Sequence, residues 1–195
     1  DERTAVFCGR GNNGGDGFGC AWLLADSGVP VRTFLVGDPE KMTADAREML
    51  RRFESAGGRL ELFDPENGDI AEYVKSCPVV VDAIFGTGLR SAPRGNAEAA
   101  VELINSSGAF VIAADIPSGV DADSGLVCGA AVFADLTITF NAPKIGQFTL
   151  PGALNCGEVQ IADIGIPSEV TEAETANVFA VCSEDISLPL RARDA

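Results

Sequence analysis

The chain has 195 residues, of which 46% are hydrophobic and 22% are charged, and this composition is typical of one globular domain with a sizeable core. The 29 acidic residues outnumber the 14 lysines and arginines, and the net charge of −15 argues against a nucleic-acid partner, because phosphates are neutralised by clustered cationic side chains. The sequence contains neither an apolar run long enough to span a membrane nor a basic leader segment, so we expect no membrane association and a cytoplasmic location.

Histidine is absent from the chain, which excludes Ser-His-Asp and Cys-His catalysis and every metal site built on histidine. Acid–base chemistry near neutral pH must therefore come from carboxylates, lysine, tyrosine or cysteine. The six cysteines include no Cys-x-x-Cys pair, and we expect buried, reduced thiols rather than a disulfide framework.

Short apolar runs rich in β-branched residues alternate with helical segments along the chain. Strands buried on both faces are predicted at 4–8, 31–36, 59–63, 78–85, 109–116 and 135–140. Apolar residues at helical spacing predict amphipathic helices over 46–53 and 97–104, and two late edge strands are predicted at 159–164 and 177–182. This alternation predicts a single α/β domain over residues 1–195, Rossmann-like, with three layers (α/β/α) and a mostly parallel central sheet.

The first predicted strand is followed by the glycine-rich stretch GRGNNGGDGFG, residues 9–19, and ligands bind at the carboxyl ends of strands in such sheets. Its glycines fit the spacing G-x-G-x-x-G, a weak signal for dinucleotide binding when it stands alone. Asp38 follows the second strand and could serve as the ribose acid of a nicotinamide dehydrogenase. That alternative is disfavoured because histidine is absent and Tyr73 lacks the Tyr-x-x-x-Lys spacing.

The polar residues of this stretch need a different explanation, because a simple phosphate cradle would avoid a carboxylate. Asn12 and Asn13 offer two side-chain amides, and Asp16 stands among the glycines. Two interpretations of Asp16 stay open at this point. It either caps a helix that begins near Phe18 or contacts a ligand.

Two further loops follow predicted strands and carry polar groups. DAIFGTGLRSAPRG, residues 82–95, has glycines that permit close backbone approach and the cationic residues Arg90 and Arg94. DIPSGVDADSG, residues 115–125, begins with Asp115, which like Asp82 lies at the end of an apolar strand. A carboxylate in that position is costly to bury unless another group pairs with it.

Together these loops predict a crevice with two kinds of ligand group. The backbone amides of the glycine-rich loops, together with Arg90 and Arg94, suit a pyrophosphate. The oxygens of Asn13, Asp82 and Ser118 suit a hard cation, monovalent or divalent, that would neutralise the buried acid. The alternative is a set of polar surface loops with no common target.

Four segments resemble, in order, the signature blocks of the NAD(P)HX epimerase family. They are GRGNNGGDGFG, DAIFGTGLRSAPRG, AADIPSGVDADSG and TFNAPKIGQFTLPGALNCGEVQIADIGIP, which together extend over roughly residues 6–167. The resemblance implies a metabolite-repair enzyme that interconverts the R and S epimers of NADH or NADPH hydrated on the nicotinamide ring (NADHX and NADPHX). Asp115 would act as the acid–base group, protonating the leaving oxygen and later reactivating water.

The resemblance also implies a set of site residues and an ion. The family's substrate contacts fall on Asn12, Asn13, Gly14, Gly15, Asp16, Gly86, Thr87, Gly88, Leu89, Arg90, Ser91, Ala92 and Asp115. Its potassium ligands fall on Asn13, Asp82 and Ser118. Lys144 could reach a phosphate, although a surface lysine whose aliphatic stem lies along the protein is the simpler interpretation.

Two departures from the family pattern bear on organisation. The first strand begins almost at Asp1, whereas family members carry N-terminal helices that help to build a homodimer, so we expect those helices to be absent here. Residues from about 185 to 195 resemble the linker to a fused NAD(P)HX dehydratase, which predicts an epimerase half of a bifunctional protein. A non-catalytic nucleotide-binding or interaction module remains an alternative.

Overall fold

The structure is a computed structural model, and it describes residues 3–89, 91–167 and 169–170. The chain divides into two compact units, residues 1–165 and 166–195. Among the described residues of the second unit, the Val170 amide donates a hydrogen bond to the Pro167 carbonyl.

One parallel sheet of seven strands forms the centre of the first unit, with the strand order β3-β2-β1-β4-β5-β6-β7. The strands are β1 (Thr4–Cys8), β2 (Val31–Leu35), β3 (Leu60–Leu62), β4 (Val79–Ala83), β5 (Phe110–Ala114), β6 (Leu136–Phe140) and β7 (Glu158–Ala162). All six buried strands predicted from sequence are present, and so is the late edge strand, at β7. The strand predicted at 177–182 lies outside the described residues.

Four α-helices connect the strands: α1 (Asn12–Asp26), α2 (Ala44–Ser55), α3 (Gly68–Ser76) and α4 (Asn96–Asn105). The predictions of α2 and α4 are confirmed. The predicted start of α1 near Phe18 is wrong, because the helix begins at Asn12 and continues through the glycine-rich stretch. α3 was missed, since only Ile70 and Val74 of its residues are buried and its apolar pattern is short.

The two faces of the sheet carry separate cores, which confirms the three-layer arrangement. Ala5 and Phe7 of β1 pack in a cluster with residues of α3 and α4. Val6 and Cys8, which point to the opposite face, pack with residues of α1 and α2. The prediction that these six strands are buried on both faces is wrong for β3, an edge strand whose Leu62 is exposed, and for the start of β5, where Phe110 is exposed.

The turn from β1 into α1 is so tight that side chains are excluded from it. A Cβ atom on Gly14 would lie 1.7 Å from the carbonyl oxygen of Gly9, and a Cβ atom on Gly9 would lie 1.8 Å from the carbonyl oxygen of Ile84. Glycine at these two positions therefore lets the start of α1 approach the ends of β1 and β4. This packing brings the first turns of α1 over the carboxyl edge of the sheet.

The cysteines of the described part are free thiols, as predicted. Cys8, Cys77 and Cys156 are buried, whereas Cys20 and Cys128 are partly exposed, so the prediction of burial holds for three of these five. Within the described residues, no helix is long and apolar enough to cross a membrane.

Candidate active site at the carboxyl edge of the sheet

The predicted site loops meet because β1, β4 and β5 are neighbours in the sheet and run parallel. Their carboxyl ends therefore lie at one edge, where the glycine-rich start of α1, the 82–95 loop and the 115–125 loop converge. Arg90 lies outside the described residues. Of the other predicted contacts in its loop, Thr87, Gly88 and Ser91 are exposed, Gly86 and Ala92 are partly exposed, and Leu89 is buried.

Asp82 is the most deeply buried acid of the site, with no solvent-exposed surface. Ser118 donates to it twice, from its amide to Oδ2 at 2.8 Å and from its hydroxyl to Oδ1 at 2.6 Å. The Ile84 amide also donates to Oδ1, at 3.2 Å. Burial raises the pKa of Asp82 to about 6, although these hydrogen bonds favour the carboxylate and limit the rise. No cationic side chain of the described residues pairs with it.

Asn13 lies in the first turn of α1, and its Nδ2 atom is buried without a hydrogen-bond partner in the described structure. Its side chain packs against Gly86, where a Cβ atom would be 3.2 Å from the Asn13 Oδ1 atom. The next residue back, Phe85, donates its amide hydrogen to the Ser118 hydroxyl at 2.8 Å. Asn13, Asp82 and Ser118 therefore all border the turn that follows β4.

Asp115 follows β5 and adopts a left-handed backbone conformation with a φ of 66°, which is rare for a residue other than glycine. Its carboxylate Oδ1 accepts hydrogen bonds from Lys144 Nζ at 2.5 Å, the Phe140 amide at 3.3 Å and the Thr139 hydroxyl at 3.5 Å. Gln147 Nε2 donates to its backbone carbonyl at 2.7 Å. The interpretation of Lys144 as a surface lysine is wrong, because its side chain is only 19% exposed and is ion-paired with Asp115.

Asp16 lies in the second turn of α1 and does not cap that helix, whose N-cap is Gly11. The capping interpretation is therefore wrong. The Asp16 side chain is accessible to solvent, yet the pKa of this acid is raised to about 6 by desolvation and, to a smaller extent, by the charge of Asp115. The charge of Asp115 therefore acts on Asp16, from the neighbouring end of the sheet.

The remaining predicted contacts on α1 are engaged in packing between helices. Asn12 is exposed and accepts a hydrogen bond from the Thr43 hydroxyl at 3.0 Å, at the start of α2. Gly14 and Gly15 are buried, and a Cβ atom on Gly15 would lie 3.2 Å from the Ala46 Cα atom. A contact between these two glycines and a substrate stays a prediction.

Sequence reasoning missed Thr139 and Gln147 as residues of the site. The sixth strand ends at Phe140, so the rule that placed the other loops at the carboxyl edge would also have pointed to residues 139–147. The 3₁₀ helix Ile145–Gln147 then turns Gln147 back toward Asp115.

The fold and its polar crevice define an α/β domain of the Rossmann-like class, with titratable groups at the carboxyl edge of a parallel sheet. Residues 1–146 match the model of the family described as "YjeF-related protein N-terminus". The chain belongs to this family.

Several relatives carry names that concern hydrated nicotinamide nucleotides. The bifunctional NAD(P)H-hydrate repair enzyme Nnr of Thermofilum pendens is 42% identical over 98% of this chain and 36% of its own length. The NAD(P)H-hydrate epimerase of Levilactobacillus brevis is 39% identical over 85% of this chain and 74% of its own length. The resemblance drawn from the four sequence blocks is thereby confirmed.

A crystal structure of the yeast protein ynu0 has the same fold, with a TM-score of 0.73 and 21% identity over 94% of this chain and 76% of that one. The chain spans about a third of the length of the bifunctional relatives, 36% of one and 34% of another, from Moorella thermoacetica. It spans three quarters of the relative named as an epimerase alone, at 74%.

Proposed function

We propose that this domain is an epimerase that interconverts the R and S forms of hydrated NADH and NADPH. The observation that carries the proposal is the buried carboxylate of Asp115, held in a left-handed backbone conformation at the carboxyl edge of the sheet. Relatives that cover most of this chain are named NAD(P)H-hydrate epimerase, which supports the same reaction class.

Asp115 supplies the acid–base step in this proposal. Epimerisation requires the hydroxyl on the ring to leave and return, or the ring to open and close, and in either case protons move to and from one small region. A carboxyl group can protonate the departing oxygen and, once ionised, accept a proton from the returning water. Because one carboxyl group can fill both proton-transfer roles, the absence of histidine from the sequence is no obstacle, and the reaction needs no net electron transfer.

The nucleotide is proposed to lie across the start of α1 and the 82–95 loop. Asn12, Asn13 and Asp16 project from the first turns of α1, and Thr87 and Ser91 offer exposed hydroxyls on the opposite loop. The amides at the N-terminus of α1 provide a favourable setting for a phosphate. This part of the proposal includes substrate contacts by residues 86–92 and by Gly14 and Gly15.

A potassium ion at Asn13, Asp82 and Ser118 is also part of the proposal, and the residues present fit such an ion. Asp82 is a wholly buried carboxylate that no cation of the described residues neutralises. Carboxylate, amide and hydroxyl oxygens are the ligands that a hard cation prefers. The ion would supply charge balance for Asp82 and hold the loops together, and the proton transfers at Asp115 do not pass through it.

Two proposals about assembly accompany the activity. A homodimer is supported by exposed apolar side chains in the 144–155 segment, where Phe148, Leu150 and Leu154 are more than half exposed. Fusion to a dehydratase is supported by the relatives named as bifunctional repair enzymes, in which the matching region is about a third of the chain.

The test is an assay that starts from purified R-NADHX and follows the appearance of the S epimer by chromatography, in a buffer containing potassium. We expect conversion well above the spontaneous rate, and a loss of about 100-fold or more in Asp115→Asn. Asp123→Asn is the matched control, because it removes an exposed acid from the same loop and should retain full activity.

Absence of acceleration by folded protein would contradict the epimerase proposal and leave the nucleotide-binding module as the explanation. A change in cofactor absorbance that depends on a second substrate would instead indicate a dehydrogenase. Equal activity in Asp115→Asn and wild type would remove Asp115 from the catalytic role while leaving the reaction assigned.

A further inference from the structure

We propose that Lys144 is the positioning residue of the site: it holds one oxygen of the Asp115 carboxylate so that the other oxygen faces the substrate. The inference rests on the proposed epimerase function and adds a residue whose role the sequence interpretation did not assign.

Every donor of the Lys144 ammonium group is already used inside the protein. Nζ donates to Asp115 Oδ1 at 2.5 Å, to the Thr139 hydroxyl at 2.8 Å and to the Phe140 carbonyl at 2.9 Å. An ammonium group has three N–H donors and no acceptor, so these three bonds exhaust its capacity. Lys144 is therefore directed at Asp115 and has no donor left for a phosphate.

The two oxygens of Asp115 have different surroundings as a result. Oδ1 accepts from Lys144, from the Phe140 amide and from the Thr139 hydroxyl. Oδ2 accepts no hydrogen bond from any residue that the structure describes. A carboxylate with one oxygen anchored and one oxygen unoccupied is arranged for directional proton transfer.

The backbone around this pair is fixed by Gln147. Its Nε2 atom donates to the Asp115 carbonyl at 2.7 Å, and its Oε1 atom accepts from the Lys144 amide at 2.8 Å. The unusual φ of Asp115 is thus maintained by a side chain that also fixes Lys144. Gln147 is buried, as is Thr139, so the clamp formed by Lys144, Thr139 and Gln147 is part of the packed interior.

The test compares Lys144→Ala, Lys144→Met and the exposed-lysine control Lys75→Ala in the epimerase assay. We expect kcat to fall about 100-fold in both Lys144 variants, with KM changed by less than about 3-fold, because orientation of the acid is lost and substrate contacts are kept. Lys144→Met removes the ammonium group but preserves the aliphatic packing of the side chain. It therefore separates the loss of positioning from a failure to fold. Lys75→Ala should match wild type.

Chemical rescue separates a positioning role from a structural one. Ethylammonium chloride added to Lys144→Ala should restore activity by about 10-fold, since a small amine can occupy the vacated position and donate to Asp115 Oδ1. Tetramethylammonium chloride at the same concentration, which has no N–H donor, should restore none.

The outcomes distinguish the two levels of the proposal. An inactive wild-type protein would overturn the epimerase function, and the role of Lys144 would fall with it. An active wild type with Lys144→Ala and Lys144→Met at more than half of its kcat would overturn the inference alone. A large rise in KM with unchanged kcat would also overturn it, because that result describes a substrate contact rather than a positioning residue.

Discussion

The two carboxylates Asp115 and Asp16 at the crevice differ in that only one of them is paired. Asp115 is ion-paired with Lys144. Asp16 has no hydrogen-bond or ion-pair partner among the described residues, and its pKa is raised to about 6 by desolvation and by the charge of Asp115. Pairs of acids in unequal surroundings are a common way to divide acid and base roles. At the proposed site, a fraction of Asp16 stays protonated near neutral pH while it lies beside Asp115.

The titration of Asp16 provides a direct test of this arrangement. The NMR signal of its side-chain carboxyl carbon should titrate with a midpoint near pH 6. In Asp115→Asn the midpoint should fall, because a neighbouring negative charge is removed while Lys144 stays, but it should remain above 3.8 because desolvation persists. A midpoint that is the same in both proteins would show that the two acids do not interact.

The same shift has a consequence for stability, with a definite sign. Because the pKa of Asp16 is higher in the folded protein than its ordinary value of 3.8, the folded state binds the extra proton and this contribution to stability falls as pH rises from about 4 to about 6. Asp16→Asn should therefore gain thermal stability relative to wild type across that interval, with a constant difference above it. For Asp123→Asn, measured in parallel, the difference in thermal stability from wild type should not change over the same pH interval.

The tight connection from β1 to α1 brings the first turns of the helix over the carboxyl edge of the sheet, where the proposed site lies. Gly14 is buried under the turn, and a Cβ atom there would overlap the Gly9 carbonyl oxygen at 1.7 Å. Gly14→Ala should destabilise the domain by about 3 kcal/mol or more despite the higher helix propensity of alanine, because backbone would have to move. Urea denaturation monitored by circular dichroism measures the loss.

Gly68→Ala is the matched control for that prediction. Gly68 begins α3, is exposed, and has nothing within 4 Å of the position of a Cβ atom. This substitution should stabilise the domain by about 0.5 kcal/mol, because alanine restricts the unfolded chain. Similar effects of the two substitutions would contradict the steric explanation.

The inner strands β1, β2 and β4 were predictable because each is a short, mostly apolar run, whereas β6 and β7 alternate apolar and polar residues. Two predictions, the burial of β3 and the start of α1, were wrong for the same reason. In both cases the position of the segment in the fold outweighs its local sequence pattern. β3 is as apolar at Leu60 and Leu62 as an inner strand, yet it lies at an edge. The start of α1 is glycine-rich, and only the close approach to β1 explains a helix there.

The place of the candidate site followed from polar residues at or shortly after the carboxyl ends of predicted strands. Asp82, Asp115 and Ser118 were singled out this way, and the structure brings Asp82 and Ser118 into hydrogen-bond contact, while their roles toward a substrate or an ion stay predictions. The same rule also points to the segment 139–147, but it does not show that Lys144 and Gln147 contact Asp115, because each reaches that residue across about 30 residues of sequence. A contact of that separation depends on the order of the strands, which local patterns do not specify.

Asp82 is buried and has no cationic partner among the described residues, so an ion bound beside it would stabilise the whole domain. If potassium binds at Asn13, Asp82 and Ser118, a concentration ten times the Kd should stabilise the fold by about 1.4 kcal/mol. For a domain of this size that is a rise of roughly 3–5 °C in Tm, measured in potassium chloride against choline chloride. Asp82→Asn should abolish the difference between the two salts, and Asp123→Asn should keep it. No difference in wild type would contradict the ion proposal.

The central place of β1 in the sheet has a consequence for biosynthesis. All five residues of this strand are buried, and it pairs with β2 on one side and with β4, roughly 70 residues later, on the other. At about 5–20 residues per second, a ribosome delivers β4 on the order of 4–14 s after β1. During that interval β1 can pair with β2 but lacks the hydrogen bonds to β4 on its other side. Pairing with β4 also requires a long loop to close, which slows this step of folding. The central strand of the sheet thus stays half-paired until β4 is complete at Ala83, and during that time its unpaired edge is exposed to association with other chains.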